Sequence, residues 1–141
     1  PVTDTKMTRF SISMNEAIDL VMWSLENSAG GEIIVPKIPS YKIVELIKAF
    51  SHKPKIKIIG IRRGEKIHEE MISSEESRNC LEIDGKYIIV SNELSEYTKK
   101  IKNKKLIKKF SKKSYKSNEN IFLDAKDLLK AINKESKNFI L

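Results

Sequence analysis

The fold turns on one stretch: Ser13-Met14-Asn15-Glu16-Ala17-Ile18-Asp19-Leu20-Val21-Met22-Trp23-Ser24-Leu25-Glu26-Asn27, followed by Gly30-Gly31-Glu32-Ile33-Ile34-Val35-Pro36. In its first part Met14, Ala17, Ile18, Val21, Met22 and Leu25 fall at i, i+3, i+4, i+7, i+8 and i+11, the period of a helix with one apolar face. Ser13 and Glu16 form a capping box at its start. The pattern predicts that this face, with Trp23 at its margin, packs into the core. The glycine pair ends the helical region, and Glu32–Val35 reads as a buried strand broken by Pro36 and Pro39.

Working outward, Pro1–Thr5 is turn-like and Met7–Ile12 alternates enough to predict a short strand. Downstream, Ser40 is placed to cap a helix over Tyr41–Phe50, with Ile43, Val44, Ile47 and Phe50 as its inner face. Lys55–Ile59 alternates as a strand up to Gly60, which leaves Arg62-Arg63-Gly64-Glu65 on an exposed turn. An extended stretch around Ile67–Ile72 and an acidic helix start at Ser73–Glu76 come next. Asp84-Gly85 then joins Cys80–Ile83 to Lys86–Val90 as a hairpin. Leu123-Asp124 opens a last helix with Ala125, Leu128, Leu129 and Ile132 on one face.

The 141 residues suit one α/β domain with a tail, and no apolar run approaches the roughly 18 residues of a membrane span. One cysteine, Cys80, forms no internal disulfide, and no basic segment with an apolar run behind it opens the chain, so a reducing cytoplasmic setting is expected. The net charge of +8 is local. Ten lysines and no acidic residue lie between Tyr97 and Lys116, and the remainder carries 17 basic and 19 acidic groups. Within the run, Ile101, Leu106, Ile107 and Phe110 are spaced for an apolar stripe on a lysine-covered helix. Lysine without arginine disfavours nucleic-acid recognition and fits a solvated face or an anionic contact. The expected organisation is a binding domain over 1–96, a lysine-rich linker or amphipathic helix over 97–114, and a C-terminal extension over 115–141.

Little catalytic chemistry is legible. His52, His68 and Cys80 lack metal-ligand spacing, so no metal site is expected. Glycines at 30, 31, 60, 64 and 85 cannot form a Gly-x-Gly-x-x-Gly cradle, and no Gly-x-Ser-x-Gly elbow or P-loop occurs. Cys80, beside Leu81, reads as a small buried hydrophobe. What remains is Arg9, and Arg62 with Arg63 more than fifty residues later. Guanidinium forks match phosphate oxygens, although arginines at strand ends also serve as surface ion-pairing groups.

Those residues carry a family resemblance. Pro1-Val2-Thr3-Asp4, Met7-Thr8-Arg9-Phe10, Gly30–Ser40 and Ile59–Glu69, in that order, resemble the C-terminal substrate-binding part of UDP-N-acetylglucosamine 4,6-dehydratases of the inverting branch. These are extended short-chain dehydrogenase/reductase enzymes of polysaccharide and flagellin-sugar biosynthesis. Tyr115-Lys116-Ser117-Asn118 and the last helix resemble the end of such enzymes. The resemblance implies a small mixed α/β substrate-binding domain without the nucleotide-binding Rossmann half. It implies that Arg9 and Arg62 hold a UDP diphosphate and Glu65 a ribose, with Val2 and Thr3 along the uracil and Lys37 on a nearby loop. No catalytic residue is implied for this chain, and no Tyr-x-x-x-Lys occurs in it. The parent enzyme's NADP belongs to the N-terminal half, which is the implied partner together with a UDP-sugar and a homo-oligomer of the intact enzyme. No cofactor is expected on this chain alone. A UDP-sugar 4-epimerase segment and a non-catalytic basic module are the alternatives. Two departures stand out: Ser11 replaces a large aromatic, and Arg63 replaces the proline after the first arginine, which loosens that turn.

Overall fold

A computed structural model describes residues 1–51, 53–91, 97–99 and 107–138. The chain divides into two units that alternate along the sequence. One comprises 1–14, 38–69 and 116–141, the other 15–37 and 70–115.

The second unit is built on the Asp84-Gly85 hairpin. Both turn residues have positive φ, +48° and +71°, the conformation that a two-residue hairpin turn requires and that Asp-Gly accepts at low cost. The hairpin joins β5 (Cys80–Ile83) to β6 (Lys86–Ile89), as the sequence predicts. On its outer sides lie β2 (Ile33–Pro36) and β7 (Lys108–Lys109), in the antiparallel order β2-β6-β5-β7. Alternation gives this sheet two apolar faces. Leu81, Ile83, Ile88 and Val90 gather Trp23, Ile34 and Ile107 on one. On the other, the Tyr87 ring meets Phe110 and Tyr115 edge-on, with centroids 4.9 and 5.1 Å apart. Ahead of β5, strand β4 (Glu70–Ile72) is followed by Ser73 and Glu76, which cap each other reciprocally at the start of a 3₁₀ turn, Glu76–Asn79.

Helix α1 (Met14–Asn27) forms where the periodicity predicts, but its expected inner face is outside. Met14, Ile18, Val21, Met22 and Leu25 are 52–75% exposed, and the residue that meets the core is Trp23. The Lys86 ammonium covers the other side of that indole at 4.5 Å. Periodicity reports that a face is apolar without reporting what covers it, and no described element covers this one. Strand β2 differs in the same sense: Val35 is buried while Ile33 is exposed.

In the first unit, β1 (Thr8–Phe10) pairs antiparallel with β3 (Ser40–Lys42), placing Arg9 opposite Tyr41. Ser40 is therefore a strand residue, and helix α2 (Ile43–Phe50) starts two residues later than capping by Ser40 implies. Its side chain is fully buried and accepts from the Asn120 amide at 3.0 Å, a tertiary partner that local capping rules do not contain. Helix α2 packs against α3 (Ala125–Asn138), where Leu128 is buried and the Asp124 carboxylate accepts the Asp127 N–H. Phe50, expected inside, is exposed. The strand expected over Lys55–Ile59 is reduced to a single bridge between Ile58 and Val2, and Ile56, Ile58 and Ile59 face outward. In the lysine-rich run, 100–106 lie outside the described residues. At its described end Lys108–Lys109 is a strand rather than part of a helix, and Phe110 is buried.

Candidate functional site

The first unit contains a cleft of about 370 Å³. Val2, Thr3, Arg9, Arg62 and Glu65, predicted from three separate motifs, all line it, with Ile43 and Ile47 of α2 supplying apolar wall. Val2 reaches the cleft because its backbone is clamped on both sides: its N–H donates to Lys57 O at 2.8 Å and its carbonyl accepts from Ile59 N–H at 2.9 Å.

Glu65 joins two walls. Its Oε1 accepts the Thr3 hydroxyl at 3.2 Å, and its Oε2 accepts the Arg62 backbone N–H at 3.1 Å. The turn between Arg62 and Glu65 is closed by Glu65 N–H to Arg62 O at 3.0 Å and needs the positive φ of Gly64, +79°. The turn therefore closes with Arg63 in the position where the family resemblance expects proline. The Arg62 side chain is exposed, and among the described residues no carboxylate forms an ion pair with it.

Arg9 is held differently. Its Nη1 donates to Thr8 O at 2.7 Å and Ile67 O at 3.1 Å, and its Nη2 donates to Lys66 O at 3.0 Å. Nε lies 3.7 Å from Glu69 Oε1, and the other Glu69 oxygen accepts the Phe10 N–H at 2.8 Å. The guanidinium thus fastens β1 to the backbone just after the Arg62–Glu65 turn while keeping its charge at the cleft. Sequence reasoning missed what lies behind it. The buried Thr8 hydroxyl is 2.8 Å from His68 Nδ1 and 2.7 Å from Ser117 Oγ, a junction of three distant segments that no local pattern signals.

Lys37 belongs to the other unit. Its ammonium donates to Glu82 Oε1 at 2.9 Å and lies 5.3 Å from the Tyr87 ring centre, and the hydrogen bond to Glu82 raises its pKa. A larger, open groove of about 630 Å³ runs between α1 and β2, lined by Leu20, Val21, Leu25, Ile33 and Glu32 without a cationic side chain. Cys80 is fully buried, and burial pushes its thiol up to about 11, so it is an inert core residue as the sequence predicts. Among the described residues no three His, Cys, Asp or Glu could hold a metal ion, and no helix is long and apolar enough to cross a membrane. His52 lies outside the described residues.

An exposed guanidinium, a second one behind it, a carboxylate and apolar wall can hold an anionic group beside a hydroxyl-bearing one. Residues 1–92, which include all six candidate residues, match the family model described as "Polysaccharide biosynthesis protein". The chain belongs to that family. It is 49% identical over 89 residues to the UDP-N-acetylglucosamine 4,6-dehydratase (inverting) of Campylobacter jejuni serotype O:2, covering 63% of this chain and 27% of that protein. It is 39% identical over 92 residues to the UDP-glucose 4-epimerase of Rickettsia akari, covering 62% and 27%. The chain thus spans about a quarter of the length of the curated relatives it matches. The X-ray structure of Pen from Bacillus thuringiensis superposes on 96% of this chain and 40% of its own, with a TM-score of 0.77 and 25% identity. The fold of this family member is accordingly the small mixed α/β domain expected from its sequence, and its family is that of nucleotide-sugar and polysaccharide biosynthesis.

Proposed function

We propose that this chain is the UDP-sugar-binding portion of an inverting UDP-N-acetylglucosamine 4,6-dehydratase, acting in the cytoplasm in glycan precursor synthesis. The observation that carries the reading is the convergence of Val2, Thr3, Arg9, Arg62 and Glu65 on one cleft. Arg62 and Arg9 supply positive charge for the diphosphate, Glu65 accepts from ribose hydroxyls, and Val2 and Thr3 lie along the uracil. Lys37 is a further candidate contact of the sugar nucleotide. The greater identity to the dehydratase, 49% against 39%, favours it over a 4-epimerase.

A dinucleotide does not fit the residues described. The two sheets with β1-β3 and β2-β6-β5-β7 are antiparallel, and the glycines are scattered over separate turns. A nucleotide cradle instead needs a glycine-rich turn between a parallel strand and a helix. NADP, the catalytic groups and the assembly of the whole enzyme therefore belong to a nucleotide-binding half that works with this chain. Titration calorimetry with UDP and UDP-N-acetylglucosamine tests the reading. Weak binding by the chain, lost in Arg62→Ala, is expected. Equal affinity of that variant overturns the assigned cleft, and affinity that collapses steeply with salt on both proteins favours a basic module instead.

A further inference from the structure

Ser117 lies beyond the residues that match the family model and touches none of the cleft, yet it is fully buried and saturated with hydrogen bonds. Its Oγ is 2.7 Å from Thr8 Oγ1 and 3.2 Å from Thr8 O, and it accepts the Glu69 N–H at 2.9 Å. Its own N–H donates to Glu69 O at 2.9 Å. Thr8 O is also the carbonyl that receives Arg9 Nη1 at 2.7 Å, and Glu69 is the acid beside Arg9 Nε. One hydroxyl, 109 residues away from Thr8, therefore touches two of the groups around the Arg9 guanidinium, the Thr8 carbonyl and the backbone of Glu69.

We propose that Ser117 is a positioning residue for Arg9, so that the C-terminal segment sets the anion affinity of a cleft it does not line. The proposal rests on the UDP-binding reading above. Removing the Ser117 hydroxyl leaves the Glu69 N–H without its acceptor and the Thr8 hydroxyl with His68 Nδ1 alone, and the junction relaxes by moving β1 or the 66–69 backbone. Either movement changes the carbonyl cage around Arg9. Asn120 provides the control, since it ties the same segment to Ile38 O and Ser40 Oγ without touching this cage.

The test combines UDP titration with NMR of the Arg9 Nε–Hε signal in the 141-residue chain. Ser117→Ala is expected to weaken UDP binding about five- to tenfold and to shift or broaden the Arg9 signal. Asn120→Ala, at comparable loss of melting temperature, is expected to keep the dissociation constant within about twofold and the signal in place. Thr8→Val should reproduce the Ser117→Ala effect and Thr8→Ser should restore it, which decides the matter even if Ser117→Ala does not fold. Unchanged UDP affinity in Ser117→Ala and Thr8→Val, or an equal loss in Asn120→Ala, overturns the proposal. If the unaltered chain binds no UDP, the function proposed above fails. The Arg9 signal then still decides the positioning role: its displacement in Ser117→Ala or Thr8→Val supports it and its persistence overturns it.

Discussion

Thr3 and Glu65, 62 residues apart in sequence, are joined by a hydrogen bond of 3.2 Å across the mouth of the cleft. The bond makes Glu65 a hinge pin between the N-terminal loop and the arginine turn as well as a potential acceptor for ligand hydroxyls. Glu65→Ala should therefore lower UDP affinity about tenfold while costing less than about 1 kcal/mol of stability, because the bonds lost are near solvent. Calorimetry alongside urea unfolding checks both parts, and a large stability loss would mark Glu65 as a structural residue only.

Arg9→Lys should destabilise the first unit by about 1–3 kcal/mol. A single ammonium cannot reach Thr8 O, Ile67 O and Lys66 O together in the planar fork that arginine presents. Equal urea midpoints for Arg9→Lys and the unaltered chain would show that this cage adds nothing.

The second unit should lose stability in acid through Glu32. Burial opposes its ionisation, but hydrogen bonds from Ser28, the Ala29 N–H and the Tyr97 hydroxyl outweigh it and hold the carboxyl below its ordinary value. A carboxyl lowered on folding contributes stability that is complete above its unfolded value near 4.5 and disappears as pH falls through the folded one. Unfolding followed by Trp23 fluorescence at pH 7 and pH 4 should show a smaller difference in Glu32→Gln than in the parent, and identical differences would contradict the assignment. Tyr97→Phe, which removes a 3.0 Å bond to Oε1, should shift the loss toward higher pH.

Cys80 should resist a disulfide reagent at pH 8 in the native chain and react in denaturant. Its thiol is fully buried and raised to about 11, so native reaction has to wait for unfolding. Rapid labelling without denaturant would place the thiol at the surface.

Substitutions on opposite sides of the second unit should behave oppositely. Ile88→Ala, at a fully buried position, should cost about 2–5 kcal/mol. Leu25→Glu, three-quarters exposed on α1, should stay within about 0.5 kcal/mol and reduce any self-association seen by sedimentation. A severe loss in Leu25→Glu would mean that the α1 face is covered within this chain.

Much of this was legible because it is local. The Asp84-Gly85 hairpin, the Ser73–Glu76 cap and the last helix each follow from residues within a few positions of one another. Where tertiary partners decide, sequence reading stopped short. Ser40 became a strand residue because Asn120, 80 positions later, takes its hydroxyl. Among the described residues the alternation at Lys55–Ile59 found only Val2 as a partner, and no ladder formed there. The apolar stripe of α1 was identified correctly as a stripe, but its burial was not, since a helical period does not say which side meets the core. At the cleft the arginine and acid residues were readable as chemistry and through family motifs. The Thr8–His68–Ser117 junction behind them was not, because hydroxyls in three remote segments carry no spacing rule.

The interleaving of the two units gives synthesis on the ribosome a fixed order. The second unit has its last stretch once residue 115 has emerged, whereas the first, though it includes residues 1–14, waits for 116–141. Strand β1 must therefore remain without Ser117 while the hairpin downstream in sequence is already able to close. A nascent chain stalled before residue 116 would hold the four-stranded sheet and an unfinished first unit, and residues 116–141 act as the closing piece of a unit whose cleft residues all emerge before them.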